Sequence, residues 1–125
     1  YAHHPSEIKA SYQIAKQISR GKIIVIFQPH RYSRTKLLLN DFIAILKKIE
    51  ILFILDIYSA GENSIKNINS FNLVKKIRKT NKNVFYIKKI NSLQNKLKPY
   101  FNENNTIVFM GAGSITYLAQ DLFTK

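Results

Sequence analysis

The chain of 125 residues contains no cysteine, which excludes disulfide bonds, thiolate metal sites, iron–sulfur clusters and a cysteine nucleophile. It has only four glycines and no glycine-rich loop that ends in lysine, so it lacks the common phosphate-binding loop for ATP. No apolar run approaches the ~20 residues that span a bilayer, and residues 1–5 do not resemble a signal peptide. These absences favour a globular chain in a reducing cytoplasm, and the length fits a single domain over residues 1–125.

Acidic residues are scarce as well. Seven Asp and Glu stand against twenty Lys and Arg, which gives a net charge of +13 and can indicate a nucleic-acid partner. The cations are mostly lysines spread over all the predicted helices, however, and the chain is also rich in isoleucine and asparagine. We interpret most of the charge as the lysine drift of AT-rich coding and expect no nucleic-acid partner. A basic nucleic-acid-binding module and a non-catalytic interaction module are the alternatives.

The apolar residues alternate between strand-like and helix-like segments. Four short runs rich in Ile, Val and Phe lack polar alternation, which is typical of strands buried on both faces, and they cover residues 22–27, 50–57, 84–87 and 106–110. Helical periodicity covers residues 6–19, 33–49, 70–79 and 92–100, and a last helix after Gly111 ends at Phe123. This order predicts an α/β fold with an open, mostly parallel, Rossmann-like sheet and helices on both faces.

A pair of arginines follows the first predicted strand, at the sheet edge where open parallel sheets bind ligands. Arg31 and Arg34 are three residues apart at the start of a predicted helix, so their side chains emerge on one face. Two guanidinium groups suit a carboxylate or a phosphate, yet a helix start disfavours cations and no acidic residue follows until Asp41. We interpret the pair as an anion site. The alternative is a solvated first turn whose cations pair with acids from elsewhere.

The three histidines are His3, His4 and His30. Adjacent histidines point in different directions, and a zinc site would need all three to converge, so no metal site is predicted. For the first two, the functional interpretation is a histidine beside an amine or a phosphate, for hydrogen bonding or proton transfer. The alternative is a turn histidine that caps backbone groups ahead of Pro5.

Two weaker features lie at other predicted strand ends. The segment Gly111-Ala112-Gly113 resembles part of a dinucleotide fingerprint, but Thr116 occupies the third glycine position. A tight strand-to-helix turn with free amide groups explains it better. Asp56 follows the second predicted strand, where it could orient a ligand or an arginine, or cap a loop.

Four segments together resemble one family. They are YAHHPSE at residues 1–7, FQPHRYSRT at 27–35, DIYSAGE at 56–62 and GAGSI at 111–115. In order and spacing they are similar to the C-terminal domain of the Mur ligases, and the resemblance covers essentially the whole chain. Ser114 departs from the Asn or Asp that is more frequent there, and the Asp-Asp pair that usually precedes the first segment lies outside this chain. The chain opens without an initiator methionine, which suggests an excerpt from a longer protein.

The resemblance implies a three-domain enzyme whose first domain holds a UDP-sugar, whose central domain holds ATP and Mg²⁺, and whose third domain, this chain, brings the amino acid. The motifs are most similar to those of members that join L-alanine to UDP-N-acetylmuramate through an acyl phosphate in peptidoglycan synthesis. The resemblance implies that Arg31 and Arg34 clamp the alanine carboxylate. Tyr1, His3 and His30 would lie around the amine, with His3 as the catalytic residue. Supporting roles are implied for His4, Asp56, Gly111 and Gly113. This chain alone is expected to bind no ATP or Mg²⁺ and to be inactive.

Overall fold

The structure is a computed structural model, and it describes residues 2–112, 115, 119 and 120. Within that part of the chain the strands are β1 (Ile23–Phe27), β2 (Ile51–Leu55), β3 (Val84–Ile87) and β4 (Thr106–Met110). The α-helices there are α1 (Pro5–Ile18), α2 (Tyr32–Leu37), α3 (Leu39–Leu46), α4 (Ser70–Ile77) and α5 (Leu93–Leu97). Two 3₁₀ turns, Ile90–Ser92 and Lys98–Tyr100, flank α5.

The strands form one sheet in the order β3-β2-β1-β4, and every pair of neighbours is parallel. Val25 of β1 lies opposite Leu52 of β2 and Val108 of β4. All residues of β1 and β2 are buried, whereas β4 is half-buried over most of its length. The predicted α/β fold is confirmed. Two of the predicted apolar runs without polar alternation form the central strands β1 and β2.

Alternate residues of each strand face opposite layers of the fold. On one face the strands pack against α1, α3 and α4, in a cluster that includes Ile8 and Phe42. On the other face, strand residues such as Ile26 pack against Leu93 of α5 and against Ile115. Helices on both faces of the sheet are therefore confirmed.

The predicted helix over residues 33–49 is interrupted. α2 ends at Leu37 and α3 begins at Leu39, because Leu38 leaves helical geometry with a φ of −106° and a ψ of 20°. Around the break, Leu38, Leu39 and Ile43 pack against the core. Leu37, which a continuous helix would place on its apolar side, is 82% exposed instead.

The predicted helix over residues 92–100 is also divided. Only α5 is α-helical there, and it is followed directly by the 3₁₀ turn that contains Pro99. Proline has no amide hydrogen to donate, so it favours the end of the α-helix at this point. The longest helix in the described part of the chain is α1 with 14 residues, and no helix there is long and apolar enough to cross a membrane.

An asparagine side chain holds two loops together at the amino end of the sheet. Asn105 accepts a hydrogen bond from the Lys22 amide at 2.8 Å and donates one to the Tyr100 carbonyl at 2.9 Å. Gly21 is required beside it, because a Cβ at that position would lie 2.5 Å from the Asn105 side-chain oxygen and 2.9 Å from the Asn104 carbonyl oxygen. This end of the sheet is therefore closely packed, with its loop polar groups paired.

Candidate functional site

The candidate site lies at the carboxyl ends of β1 and β2, where two loops, residues 28–31 and 56–62, are joined. The Arg31 amide donates a hydrogen bond to the Tyr58 carbonyl at 2.8 Å, and the Tyr58 amide donates one to the Pro29 carbonyl at 2.9 Å. These bonds continue the parallel pairing of β1 and β2 past the ends of both strands. The loop that carries the arginine pair is therefore fixed at the edge where open α/β sheets bind ligands.

Arg31 has an unusual backbone conformation that its neighbours hold in place. Its φ of 73° lies in the left-handed region, which costs a non-glycine residue about 1–3 kcal/mol. Its carbonyl accepts hydrogen bonds from the amide and the hydroxyl of the buried Thr35, at 3.2 Å and 2.8 Å. Strain that the surroundings enforce is typical of functional sites, and here it fixes the direction in which the Arg31 side chain leaves the loop.

The two arginines lie side by side at the start of α2. Arg31, Arg34 and Ser33 line a shallow depression of about 250 Å³ together with Leu37 and Leu38. Arg31 is exposed and Arg34 is half-buried. In the described part of the chain neither guanidinium group forms an ion pair with a carboxylate, so both are available to an anionic ligand.

Glu62 supplies a negative charge to the start of α2. Its carboxylate accepts hydrogen bonds from the Ser33 amide at 3.1 Å and from the Ser33 hydroxyl. These bonds, and more weakly the charge of Arg31, hold the pKa of Glu62 below its ordinary value. Ala60 and Gly61, with φ values of 51° and 87°, form the turn that brings Glu62 to the helix.

Glu62 was not among the residues predicted from the sequence. One signal could have found it: Glu62 is the single acidic residue between Asp56 and Glu103, and it ends one of the four motif segments. Both of its oxygens bond to Ser33, so the carboxylate caps α2 without forming an ion pair with Arg31 or any other described arginine.

His30 is half-buried between two other rings. Its imidazole stacks on Tyr58, with ring centres 5.6 Å apart and planes 22° apart, and it meets the His3 ring edge-on at 6.1 Å. Burial, followed by the charges of Arg34 and Arg31, lowers the pKa of His30 below its ordinary value. These surroundings favour the neutral form of the His30 ring.

The Nδ1 atom of His30 is buried and has no hydrogen-bond partner in the part of the chain that the structure describes. Buried polar atoms are nearly always satisfied, so an orphaned imidazole nitrogen marks a position where a ligand group is expected. A neutral imidazole can accept a hydrogen bond or take a proton. The site thus places a potential acceptor beside two cations.

The adjacent histidines have different surroundings. His4 caps α1, because its Nδ1 accepts a hydrogen bond from the Ser6 amide at 3.2 Å and its own amide donates to Glu7 Oε1 at 3.0 Å. The His3 ring lies against His30, and its Nδ1 is 3.6 Å from Glu7 Oε1. Of the two, His3 is the one that the fold brings to the loop with the arginines.

Asp56 has a partner in β3. The Tyr86 hydroxyl donates a hydrogen bond to the Asp56 carboxylate, and the Phe71 ring packs edge-on against Tyr86 at 5.9 Å. Burial first, and then Asp56, raise the pKa of Tyr86 to about 12. Within the described residues Asp56 forms no ion pair with Arg31 or Arg34, so the structure does not bring it together with the cation pair.

Gly111 lies where the end of β4 meets the loop after β1. The Gln28 amide donates a hydrogen bond to the Met110 carbonyl at 3.0 Å, and Gly111 has a φ of 156°. A Cβ at Gly111 would lie 3.0 Å from the Gln28 carbonyl oxygen, so the close approach favours glycine. Two other predicted motif residues, Tyr1 and Gly113, lie outside the described residues.

Known proteins similar to this chain share one enzyme family. The family described as Mur ligase, glutamate ligase domain, matches residues 1–113. Among curated proteins, the UDP-N-acetylmuramate–L-alanine ligase of Sulfurihydrogenibium is 39% identical over 123 residues, and that of Rickettsia africae is 42% identical over 127 residues. Both matches cover 98% of this chain, whereas the chain spans only 27% and 26% of these relatives.

Solved structures show the same fold. The UDP-N-acetylmuramate–alanine ligase of Thermotoga maritima has a TM-score of 0.73 and 26% identity, over 99% of this chain and 25% of that one. A domain from a putative UDP-N-acetylmuramate:L-alanyl-γ-D-glutamyl-meso-diaminopimelate ligase of Haemophilus ducreyi has a TM-score of 0.64 and 17% identity, over 99% of this chain and 85% of that one. Since the family match spans nearly the whole chain and the fold agrees with it, the chain belongs to the Mur ligase family, in the part described as the glutamate ligase domain.

Proposed function

We propose that this chain is the amino-acid-binding domain, over residues 1–125, of a cytoplasmic ATP-dependent ligase that joins L-alanine to UDP-N-acetylmuramate in peptidoglycan synthesis. The names of the curated relatives support this activity, and their greater length supports a parent protein with further domains for the UDP-sugar and for ATP. One observation carries the proposal: Arg31 and Arg34 have no ion-pair partner in the described chain and lie beside the orphaned nitrogen of His30.

An α-amino acid carries a carboxylate and an ammonium group on one carbon, and the site offers a complement to each. Arg31 and Arg34 bind the carboxylate through charge-assisted hydrogen bonds, which the planar guanidinium group can make in pairs. The ring of His30, whose surroundings favour its neutral form, and the ring of His3 beside it meet the amine end. Glu62 keeps the start of α2 capped while both guanidinium groups stay open to the ligand.

Amide bond formation requires the amine as a free base and a carboxyl group that is activated. In the Mur ligases the muramyl carboxylate is activated as an acyl phosphate. The alanine nitrogen attacks its carbonyl carbon, the bond from that carbon to the phosphate oxygen breaks, and phosphate leaves. The nitrogen also loses a proton, for which we assign His3 as the acceptor, and the geometry adds the neutral His30 as a second candidate.

The domain would contribute mainly by positioning the amine. Holding two reactants in a well-set geometry can supply ~7–11 kcal/mol of the activation barrier. Closure of this domain over the central domain would also exclude water from an acyl phosphate that water can hydrolyse.

ATP and Mg²⁺ are assigned to other parts of the parent protein. The chain has no phosphate-binding loop, and its described residues contain no cluster of three or more His, Asp or Glu side chains that could hold a metal ion. We propose that the central domain of the parent protein holds the ion. We expect the chain by itself to have no ligase activity.

The substitution Arg31→Lys in the full-length ligase tests the proposal. Lysine keeps the charge but loses the planar fork, so one charge-assisted hydrogen bond worth ~1.5–3 kcal/mol is lost. The Michaelis constant for L-alanine should rise roughly 10–100-fold, while the constant for ATP stays within about twofold of its original value. Steady-state kinetics with each substrate varied in turn measure both constants.

Arg20→Lys is the matched control, because Arg20 is exposed at the amino end of the sheet and outside the site. It should leave both Michaelis constants unchanged. Equal increases in the constants for L-alanine and ATP in the Arg31→Lys variant would show that Arg31 does not bind the amino-acid carboxylate.

A further inference from the structure

A cavity of about 460 Å³ lies along the edge strand β3, and none of its lining residues belongs to the depression at the arginine pair. Its floor is apolar and includes the buried residues Phe53, Val74 and Ile87. α4 contributes one wall, and the 3₁₀ turn Lys98–Tyr100 contributes another. The volume lies in the range that proteins use for small organic ligands.

Five aromatic side chains line the cavity, namely Phe53, Phe71, Phe85, Tyr86 and Tyr100. Phe85 packs against Phe53 with ring centres 5.5 Å apart, and Tyr100 meets Phe53 edge-on at 6.3 Å. On the other side of β3, Phe71 meets Tyr86 edge-on at 5.9 Å. Phe71 is nevertheless 53% exposed, so the wall presents an aromatic surface that the described chain does not cover. Such a surface suits a flat apolar ring.

Three cations border these rings, namely Lys75, Arg78 and Lys96. The Lys75 ammonium lies 5.5 Å from the centre of the Phe71 ring, and the Arg78 guanidinium carbon lies 5.8 Å from the centre of the Phe85 ring. No carboxylate lines the cavity, and none of the three cations forms an ion pair within the described residues. The cavity thus combines aromatic walls with positive charge placed directly over them.

We propose that this β3-edge cavity binds a small aromatic anion, with a carboxylate or phosphate group attached to a flat ring directly or through one or two bonds. The ring packs against the exposed ring of Phe71, and the anionic group meets Lys75 and Arg78. Lys75 and Arg78 lie close to the aromatic rings of the cavity wall. A ligand whose ring packs on that wall can therefore reach these cations only if its anionic group is attached close to the ligand ring. Nucleotides fit less well, since a ribose separates the base from the phosphate.

Protection of an exposed edge strand would also place Lys and Arg beside β3. Edge protection alone, however, does not account for the aromatic walls or for a cavity of this size. The proposal is independent of the ligase activity, because it uses no residue of the site at Arg31.

The isolated chain is a suitable sample, since a domain of the same fold from Haemophilus ducreyi has been solved by itself. We would titrate the ¹⁵N-labelled chain with 2-naphthoate and follow the amide chemical shifts. Shifts should be confined to the residues that line the cavity. The neutral analogue 2-naphthol and the non-planar decahydro-2-naphthoate should each bind roughly tenfold more weakly than 2-naphthoate.

Two variants test the assigned contacts. Lys75→Gln/Arg78→Gln should weaken the binding of 2-naphthoate roughly tenfold, whereas Lys47→Gln/Lys66→Gln, an equal change of charge at exposed positions outside the cavity, should leave it unchanged. Phe71→Ala should also weaken binding, and the variant should fold because the Phe71 ring is half exposed.

Several results would overturn the proposal. Equal affinities for 2-naphthoate and 2-naphthol would contradict a role for the anionic group, and chemical-shift changes centred on Arg31 and Arg34 would place the ligand at the other site. The absence of saturable binding up to about 10 mM, the range of very weak affinities, would contradict the proposal as well. Concentration-dependent self-association with shifts at the same residues would overturn it as well, because the cavity would then be a contact between copies of the chain.

Discussion

At the amino end of the sheet, asparagine side chains pair with the backbone of the loops: Asn105 bonds to two segments, and Asn81 donates to the Ile49 carbonyl at 2.7 Å. At the carboxyl end, the Nδ1 atom of His30 is buried without a partner in the described chain, and two arginines lie without ion pairs there. Polar groups are thus satisfied where the fold needs stability and left unsatisfied where a ligand can satisfy them.

Backbone strain follows the same division. At the amino end, a close approach between loops occurs at a glycine, Gly21, which has no side chain to clash. At the carboxyl end, Arg31 and Ala60 adopt positive φ values although neither is glycine. A glycine at position 31 would remove the strain but also the guanidinium group. The strain at Arg31 is therefore consistent with a need for its side chain in the site.

The largest expected effect in this comparison belongs to Glu62. Glu62→Ala in the full-length ligase removes both hydrogen bonds to Ser33 and leaves the start of α2 without its carboxylate. The arginine pair then loses its fixed orientation, and the Michaelis constant for L-alanine should rise roughly tenfold. The free energy of unfolding should fall only slightly, as for the loss of a solvent-exposed helix cap.

Glu62→Gln should show a smaller kinetic change, because its amide oxygen can still accept one hydrogen bond from Ser33. Glu103→Ala is the matched control, since Glu103 is an exposed carboxylate at the amino end. If Glu62→Ala lowered stability but left the constant for L-alanine unchanged, its carboxylate would be a structural cap that does not position the arginines.

The opposite outcome is expected at the amino end. Asn105→Ala leaves the Lys22 amide and the Tyr100 carbonyl without their partner, so the free energy of unfolding should fall by about 1 kcal/mol. The Michaelis constant for L-alanine should not change. Urea unfolding of the chain and kinetics of the full-length ligase measure the two quantities. Asn95→Ala, at an exposed position of α5, serves as the control. If Asn105→Ala changed the Michaelis constant for L-alanine, the amino end of the sheet would not be independent of the ligand site at the carboxyl end.

Much of the fold could be predicted because single segments determine it. The strands β1 and β2 could be predicted from their continuous runs of apolar residues, which are typical of strands with both faces buried. The break at Leu38 could not be predicted, since no glycine or proline marks it and the residues on either side continue the helical pattern. The leucines and isoleucines after the break pack on the sheet, and the local sequence does not show such tertiary contacts.

The candidate site divides in the same way. Arg31 and Arg34 could be selected from their spacing alone, because Arg31 directly precedes α2 and Arg34 lies in its first turn. Glu62 could not, since its partner Ser33 is 29 residues away and the contact depends on the turn at Ala60 and Gly61. The role of Asn105 could not be predicted either, since it joins two loops that are distant in sequence.

The smallest expected effect concerns the pH dependence that His30 gives to stability. Burial, and then Arg34 and Arg31, lower the pKa of His30 in the folded chain, whereas an unfolded histidine has a pKa of about 6.5. Below about pH 6.5 the unfolded chain therefore binds more protons at this position, and stability falls as the pH drops until the lowered pKa of the folded state is reached. Above that window His30 contributes no pH dependence.

His30→Gln removes the titrating group, so the free energy of unfolding of the original chain relative to the variant should be lower at pH 5 than at pH 7.5. Urea unfolding at both values measures the difference, and a difference that stayed constant would show that His30 is not held neutral by its surroundings.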